Sequence, residues 1–229
     1  MRRLPVYLLI DTSGSMKGEP IKAVNNGLVL LIRSLKQNPM LVENTYISII
    51  SFDRYVKEVL PLTEVDCLEE VPSLVTPASN PTHMGKALEF LIEKLDQDLI
   101  QNTKESAGDY KPLLFLITDG HPSDIGLYRT MAGKINVTEG HKTFGLVVAC
   151  AAGPHARIEP LLLLTDRDHV CVLSDMDEDS FAEFFICVSQ SIPVNKWVPL
   201  PHAPKDMVPG PVADPFAEQD PASDAGEGV

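Results

Sequence analysis

The sequence has no long apolar run and no excess of basic residues. No segment reaches the roughly 18 apolar residues that a membrane-spanning helix needs, and too few apolar residues follow Met1-Arg2-Arg3 for a signal peptide. Its 19 lysines and arginines face 32 acidic residues, a formal net charge of −13. Such a charge opposes binding to nucleic acid or to an anionic membrane. We therefore expect a cytoplasmic protein that binds neither of them.

The sequence also lacks the common signatures of metal-binding cysteines and of enzymes. Its four cysteines, Cys67, Cys150, Cys171 and Cys187, form no CxxC pair and have no histidine at ligand spacing. We expect ordinary buried thiols at the last three, with a disulfide between neighbouring strands as the alternative. The motifs GxxxxGK[ST], GxGxxG and GxSxG are absent. We expect a protein that is not an enzyme.

Short apolar runs alternate with amphipathic segments along most of the chain, which predicts a doubly wound α/β fold. The expected sheet has six strands and is mostly parallel, with helices on both faces. Residues 56–60 form a hairpin with the strand before them and should be its one antiparallel edge strand. The predicted strands are residues 6–10, 45–52, 56–60, 112–118, 143–149 and 169–173, and the predicted helices are residues 20–36, 82–102, 127–135, 158–163 and 177–191.

The composition changes near residue 199. The last 31 residues are rich in Pro, Ala and Gly and carry one lysine against six acidic residues. A segment of this kind buries too little apolar surface to fold. We expect one domain over residues 1–198 and a disordered, acidic, Pro-rich tail over 199–229.

Side chains with hard oxygen atoms stand at the ends of three predicted elements. Asp11, Ser13 and Ser15 follow the first strand, Thr82 opens the long helix, and Asp119 follows the 112–118 strand. In an open α/β sheet, ligands bind outside the carboxyl ends of the strands. Carboxylate and hydroxyl oxygens suit Mg²⁺, Mn²⁺ or Ca²⁺. The spacing therefore predicts a divalent cation site, and Mg²⁺ is the first candidate because it keeps bound waters readily.

These residues resemble the von Willebrand factor A (VWA) domain and its metal-ion-dependent adhesion site (MIDAS), whose pattern is D-x-S-x-S, a Thr and an Asp. The resemblance covers about residues 4–193 and matches all five residues to the metal ligands of that family. It departs at Asn80-Pro81, where the family usually has glycines before the Thr. The resemblance implies that the cation binds an Asp or Glu supplied by a partner protein.

Within the family the sequence is most similar to the TerY-type tellurium-resistance proteins of bacteria. That similarity implies a role in stress resistance beside kinase- or phosphatase-like partners. Two alternatives stay open. One is a Mg²⁺-dependent phosphohydrolase or phosphotransferase with Asp11 as nucleophile, and the other is an accessory subunit that acts in trans on a chelatase or AAA-type machine.

Four further polar residues flank the predicted ligands. Asp53 and Asp124 are typical of turns beside the site, and a supporting role that holds ligands or water in place is the alternative. His83 and His121 have no Cys or His partner at ligand spacing, so we expect them on the rim of the site rather than on a metal.

Overall fold

The structure is a computed structural model that describes residues 2–77, 81–119, 121–136 and 144–199. Six strands form one sheet in the order β3-β2-β1-β4-β5-β6. Neighbouring strands are parallel except β3, which pairs antiparallel with β2 at the edge. The predicted sheet is confirmed. The strands are β1 (Leu4–Asp11), β2 (Thr45–Phe52), β3 (Val56–Glu64), β4 (Leu113–Thr118), β5 (Leu146–Ala152) and β6 (Val170–Leu173).

Helices cover both faces of the sheet. In the described residues they are α1 (Glu19–Lys36), α2 (Pro39–Val42), α3 (Met84–Asp98), α4 (Ile125–Asn136) and α5 (Glu178–Val194). The continuous apolar run of β1 is buried on both sides because its side chains alternate between two cores. Val6, Leu8 and Ile10 pack in the core of α1 and α5, whereas Tyr7 and Leu9 pack in the core of α3 and α4.

Several element bounds differ from the sequence prediction. Helix α3 was predicted over 82–102 but spans Met84–Asp98, because Leu99 turns to extended backbone and Asp109 accepts the Ile100 N–H. Strand β3 continues past Leu60 to Glu64, since its pairing with β2 continues beyond two register shifts.

Smaller differences lie in the second half of the chain, where helix α4 begins two residues before its predicted start and helix α5 ends three residues beyond its predicted end. Strand β5 was predicted over 143–149 but spans Leu146–Ala152, in register with β4, and residue 143 lies outside the described residues. The predicted helix over 158–163 is reduced to a short 3₁₀ turn at Leu161–Leu163. Residues 200–229, nearly all of the predicted tail, also lie outside the described residues, so that boundary stays a prediction. None of the described helices is long and apolar enough to cross a membrane.

The sheet order places the predicted site at a topological switch point. The chain leaves β1 toward β2 on one side, whereas β4 begins the half of the sheet that continues to β5 and β6. Strands β1 and β4 are parallel neighbours, with Ile10 opposite Ile117. Ligands of doubly wound folds bind where the strand order reverses in this way. Asp11 ends β1 and Asp119 directly follows β4, so both acids lie at this point.

Candidate functional site

Asp11 is a fully buried carboxylate at the end of β1, with both oxygens hydrogen-bonded. Its Oδ1 accepts the backbone N–H of Ser13 at 2.8 Å, and its Oδ2 accepts the hydroxyl of Thr118 at 2.8 Å. Burial raises the pKa of Asp11 to about 7, helped by the nearby charge of Asp119 and opposed by the hydrogen bonds from Ser13 and Thr118. The protein thus holds a carboxylate where its negative charge is poorly solvated.

The hydroxyls of Ser13 and Ser15 connect Asp11 to Asp119. The two Oγ atoms lie 3.1 Å apart, and Ser15 Oγ donates to Asp119 Oδ2 at 3.0 Å. Asp119 Oδ1 accepts the backbone N–H of His121 at 3.1 Å. Ser13 is buried whereas Ser15 is exposed, so this series of hydrogen-bonded side chains runs from the interior to the surface. Four of the five predicted ligands therefore form one connected group.

Thr82, the fifth predicted ligand, is buried and lies two residues before α3. Its backbone N–H donates to Ser123 Oγ at 3.0 Å, and its carbonyl accepts the Ser123 N–H at 2.8 Å. The loop that begins at Asp119 therefore holds Thr82 through Ser123. Residues Asn80 and Gly120, which belong to the motifs on either side, lie outside the described residues.

The acids predicted to flank the site are both engaged in backbone contacts. Asp53 is buried in the β2–β3 turn, where its Oδ1 accepts the Tyr55 N–H at 2.7 Å and its carbonyl accepts the His83 N–H at 2.8 Å. Asp124 accepts the N–H groups of Gly85 and Lys86 at 3.0 and 2.9 Å. Each acid therefore ties its own loop to the segment that carries Thr82.

Both flanking histidines contact backbone carbonyl groups. The His83 ring Nδ1 lies 3.0 Å from the Arg54 carbonyl, and the exposed His121 ring Nε2 lies 3.1 Å from the carbonyl of His155. Both rings thus have protein contacts beside the predicted ligands, and the rim position expected for them stays a prediction.

The donor set fits a hard divalent cation. Within the described residues no lysine or arginine forms an ion pair with Asp11 or Asp119. Those residues also hold no group of three or more His, Cys, Asp or Glu side chains that could bind a metal ion, so any cation here would depend on the hydroxyl oxygens as well. Two carboxylates with neighbouring hydroxyls offer oxygen atoms alone, which suits Mg²⁺, Mn²⁺ or Ca²⁺. A cation there would supply the positive charge that the described residues do not.

Two residues of this arrangement were not predicted from the sequence. Thr118 is the last residue of β4, and its hydroxyl reaches Asp11 across the sheet. Ser123 contacts Thr82 across 41 residues of sequence. One sequence signal could have indicated both residues. They lie on either side of the predicted ligand Asp119, within Thr118-Asp119-Gly120-His121-Pro122-Ser123-Asp124.

Solved structures share the fold at low sequence identity. Proximal thread matrix protein 1 from the mussel byssus, in a form with a zinc-occupied MIDAS motif, is 15% identical with a TM-score of 0.57, over 82% of this chain and 47% of that one. The pilus adhesin SpaC from Lactobacillus rhamnosus GG is 14% identical with a TM-score of 0.60, over 84% and 30%. The ArnB paralog VWA2 from Sulfolobus acidocaldarius is 17% identical with a TM-score of 0.55, over 83% and 45%.

The chain spans less than half the length of each of these three proteins. At such identities the likeness shows the fold alone. Comparison with curated protein sequences gave no significant match. A model of the von Willebrand factor type A domain matches residues 6–184, which is most of the sequence, so the chain belongs to the von Willebrand factor type A domain family.

Proposed function

We propose that this domain binds a partner protein through a divalent cation, with Mg²⁺ as the first candidate and an Asp or Glu of the partner as the remaining ligand. The observation that carries the proposal is the connected group at the switch point, in which two acids and two serine hydroxyls meet with no cationic side chain of the described residues paired to them. The proposed ligand set is Asp11, Ser13, Ser15, Thr82 and Asp119.

The roles of the individual residues follow from their surroundings. The hydroxyls of Ser13, Ser15 and Thr82 are neutral and fill coordination positions without adding charge. Asp11 has both oxygens engaged by Ser13 and Thr118, which favours contact with the cation through water. Two carboxylates would balance the formal charge of a divalent cation but fill few of its coordination positions, so a cation held there would remain open to a carboxylate of the partner.

The same geometry argues against the enzymatic alternative. A nucleophilic carboxylate must reach its substrate, whereas the Asp11 side chain is fully buried and hydrogen-bonded through both oxygens. Domains of this family commonly serve as interaction modules, often with a metal ion, which supports the binding role.

The finer predictions rest on the resemblance to TerY-type proteins. They comprise a role in tellurium and stress resistance, kinase- or phosphatase-like partners and a cytoplasmic location in a bacterium. An accessory role for a chelatase or AAA-type machine would use the same binding mode. We keep all of these as predictions that depend on the cation site.

Calorimetric titration with Mg²⁺, Mn²⁺ and Ca²⁺ tests the cation site. We expect the wild type to bind and the Ser13→Ala, Ser15→Ala double variant to lose binding, because that variant removes two oxygen ligands and leaves both acids in place. Asp177→Asn is the matched control, since it changes a surface acid after β6 and should bind as the wild type does. Equal binding by all three proteins would contradict the proposal.

An array of short acidic peptides, probed in Mn²⁺ and in EDTA, tests the partner chemistry. We expect retention in Mn²⁺ alone, and none on a matched array in which Asn and Gln replace Asp and Glu. Retention that persists in EDTA would show that the peptides bind another surface.

A further inference from the structure

Helix α3 takes its N-terminal cap from a distant loop. Its own N-cap residue, His83, makes no capping hydrogen bond with its side chain. Asp124 makes the capping hydrogen bonds instead. Its Oδ1 accepts the Gly85 N–H at 3.0 Å, and its Oδ2 accepts the Lys86 N–H at 2.9 Å. Helix α5, by contrast, is capped locally by Asp177, which accepts the Ser180 N–H at 2.9 Å. A cap supplied from another loop joins two parts of the structure as well as stabilising a helix end.

The approach of the loop to α3 requires a glycine. A Cβ atom on Gly85 would lie 2.5 Å from the backbone N of Tyr128 and 2.9 Å from Asp124 Oδ2. The Tyr128 N–H in turn donates to the Asp124 carbonyl at 2.9 Å. The first turn of α3, Asp124 and the start of α4 therefore pack with no room for a side chain between them.

The residue before Asp124 holds Thr82 itself. Ser123 accepts the Thr82 N–H through its hydroxyl and donates its own N–H to the Thr82 carbonyl, at 3.0 and 2.8 Å. At the other end of the same loop stands Asp119, which contacts Ser15. The loop from Asp119 to Asp124 thus connects the two predicted ligands that are not in the Asp11–Ser15 segment.

We propose that Asp124 is a positioning residue that fixes α3 to this loop, so that Thr82 and Asp119 are held at one spacing around the cation. The proposal rests on the proposed cation site. It goes beyond that site by assigning a role to a residue that touches no cation. Supporting residues of this kind commonly set metal affinity, and their loss typically weakens binding about 10-fold or more.

A merely structural cap is the competing explanation, and Asp177 provides the control for it. Asp124→Ala and Asp177→Ala each remove an acidic helix cap and should lower the free energy of unfolding in EDTA to a similar extent. Only Asp124→Ala should also raise the Kd for Mn²⁺ measured by calorimetry, by about 10-fold. Asp124→Asn keeps one amide acceptor, so its Kd should fall between those of the wild type and Asp124→Ala.

Asp124→Asn provides the second variant in case Asp124→Ala does not fold, and Ser123→Ala tests the neighbouring contact to Thr82. Ser123→Ala removes the acceptor of the Thr82 N–H and leaves the α3 cap in place, and we expect a several-fold rise in the Kd for Mn²⁺. If Asp124→Ala, or Asp124→Asn in its place, binds Mn²⁺ as tightly as Asp177→Ala, the positioning role is wrong while the cation site stands. If the wild type binds no Mg²⁺, Mn²⁺ or Ca²⁺, the proposed function fails and this inference falls with it.

Discussion

The buried and partly buried acids at the two ends of β1 have opposite kinds of partner. At the carboxyl end, Asp11 and Asp119 are met by serine and threonine hydroxyls. At the amino end, Arg3 contacts Asp109 through both guanidinium nitrogens Nε and Nη2, at 2.9 and 2.6 Å. Lys94 lies 3.1 Å from Asp98. We refer to Arg3, Lys94, Asp98 and Asp109 as the amino-end cluster.

The difference separates acids that hold the fold together from acids that the proposed cation site would use. In the amino-end cluster the chain supplies its own cations, so the acids are neutralised within the fold. At the carboxyl end the described residues supply none, and burial leaves the pKa of Asp11 raised to about 7. Groups with strongly shifted pKa values tend to mark functional sites. In the described residues the charges of Asp11 and Asp119 therefore have no cationic partner, which is what the proposed cation site requires.

The largest expected effect is the loss of Arg3. Arg3→Ala leaves Asp109, whose side chain is 4% exposed, without its bidentate partner. Removing one partner of a buried pair costs about 3–5 kcal/mol. We expect that loss in the free energy of unfolding, measured by urea denaturation. Lys22→Ala is the control, since its pair with Glu19 is exposed and its loss should have little or no measurable effect. A similar small loss in both variants would contradict the assigned role of the amino-end cluster.

The second effect is a pH dependence caused by Asp11 in the metal-free protein. Its folded pKa of about 7 exceeds the usual Asp value of about 3.9. Between these two pH values the folded state therefore binds more protons than the unfolded state. Stability should therefore fall as pH rises from about 4 to about 7, then level off, with a total change of about 4 kcal/mol. Urea denaturation in EDTA at several pH values measures it.

Asp11→Asn should remove this fall and be more stable than the wild type at pH 8. Asp177→Asn gives a control of opposite sign. The hydrogen bond from Ser180 lowers the pKa of Asp177, so its contribution in the wild type is present at neutral pH and is lost as pH falls below about 4. A wild-type profile that is flat between pH 4 and 7 would contradict the buried, poorly solvated state of Asp11.

The third effect is stabilisation by the cation. A ligand that binds the folded state alone adds about 2.7 kcal/mol at a concentration of 100 Kd. We expect that gain for the wild type in Mn²⁺ relative to EDTA, and none for Asp119→Asn, which loses the charge beside Ser15. Arg3→Ala should keep the whole gain, because it changes the other end of β1. If Mn²⁺ stabilised Asp119→Asn as well, the cation would be bound elsewhere.

The sequence predicted the carboxyl end far better than the amino end. Asp11, Ser13 and Ser15 follow one strand and Asp119 follows another, so strand assignment alone brings them to one edge. The element order also predicted the sheet, because buried runs and amphipathic helices alternate. These signals depend on residues that are close in the sequence. The predicted sheet and site therefore stay the same when an element bound is wrong by a few residues.

The contacts that were missed are distant in the sequence. Arg3 and Asp109 are 106 residues apart, and Asp109 lies in a segment whose polar composition indicated no more than a loop. The cap from Asp124 to Gly85 spans 39 residues. The start of α3 was accordingly predicted two residues too early at Thr82, since the loop that fixes it comes from another part of the chain.

The smallest expected effect lies within the amino-end cluster itself. Asp98→Asn removes one charge next to Lys94, which keeps Glu58 at 2.9 Å, and weakens the acceptor of the Tyr7 hydroxyl at 3.3 Å. Because Lys94 retains an acid, we expect a loss of only about 1 kcal/mol in urea denaturation. The double variant Glu58→Gln, Asp98→Asn should lose more than the sum of the single variants, since Lys94 is then left half-buried with no acid. Strict additivity would mean that Lys94 reaches water in the folded protein, and the amino-end cluster would then reduce to the Arg3–Asp109 pair.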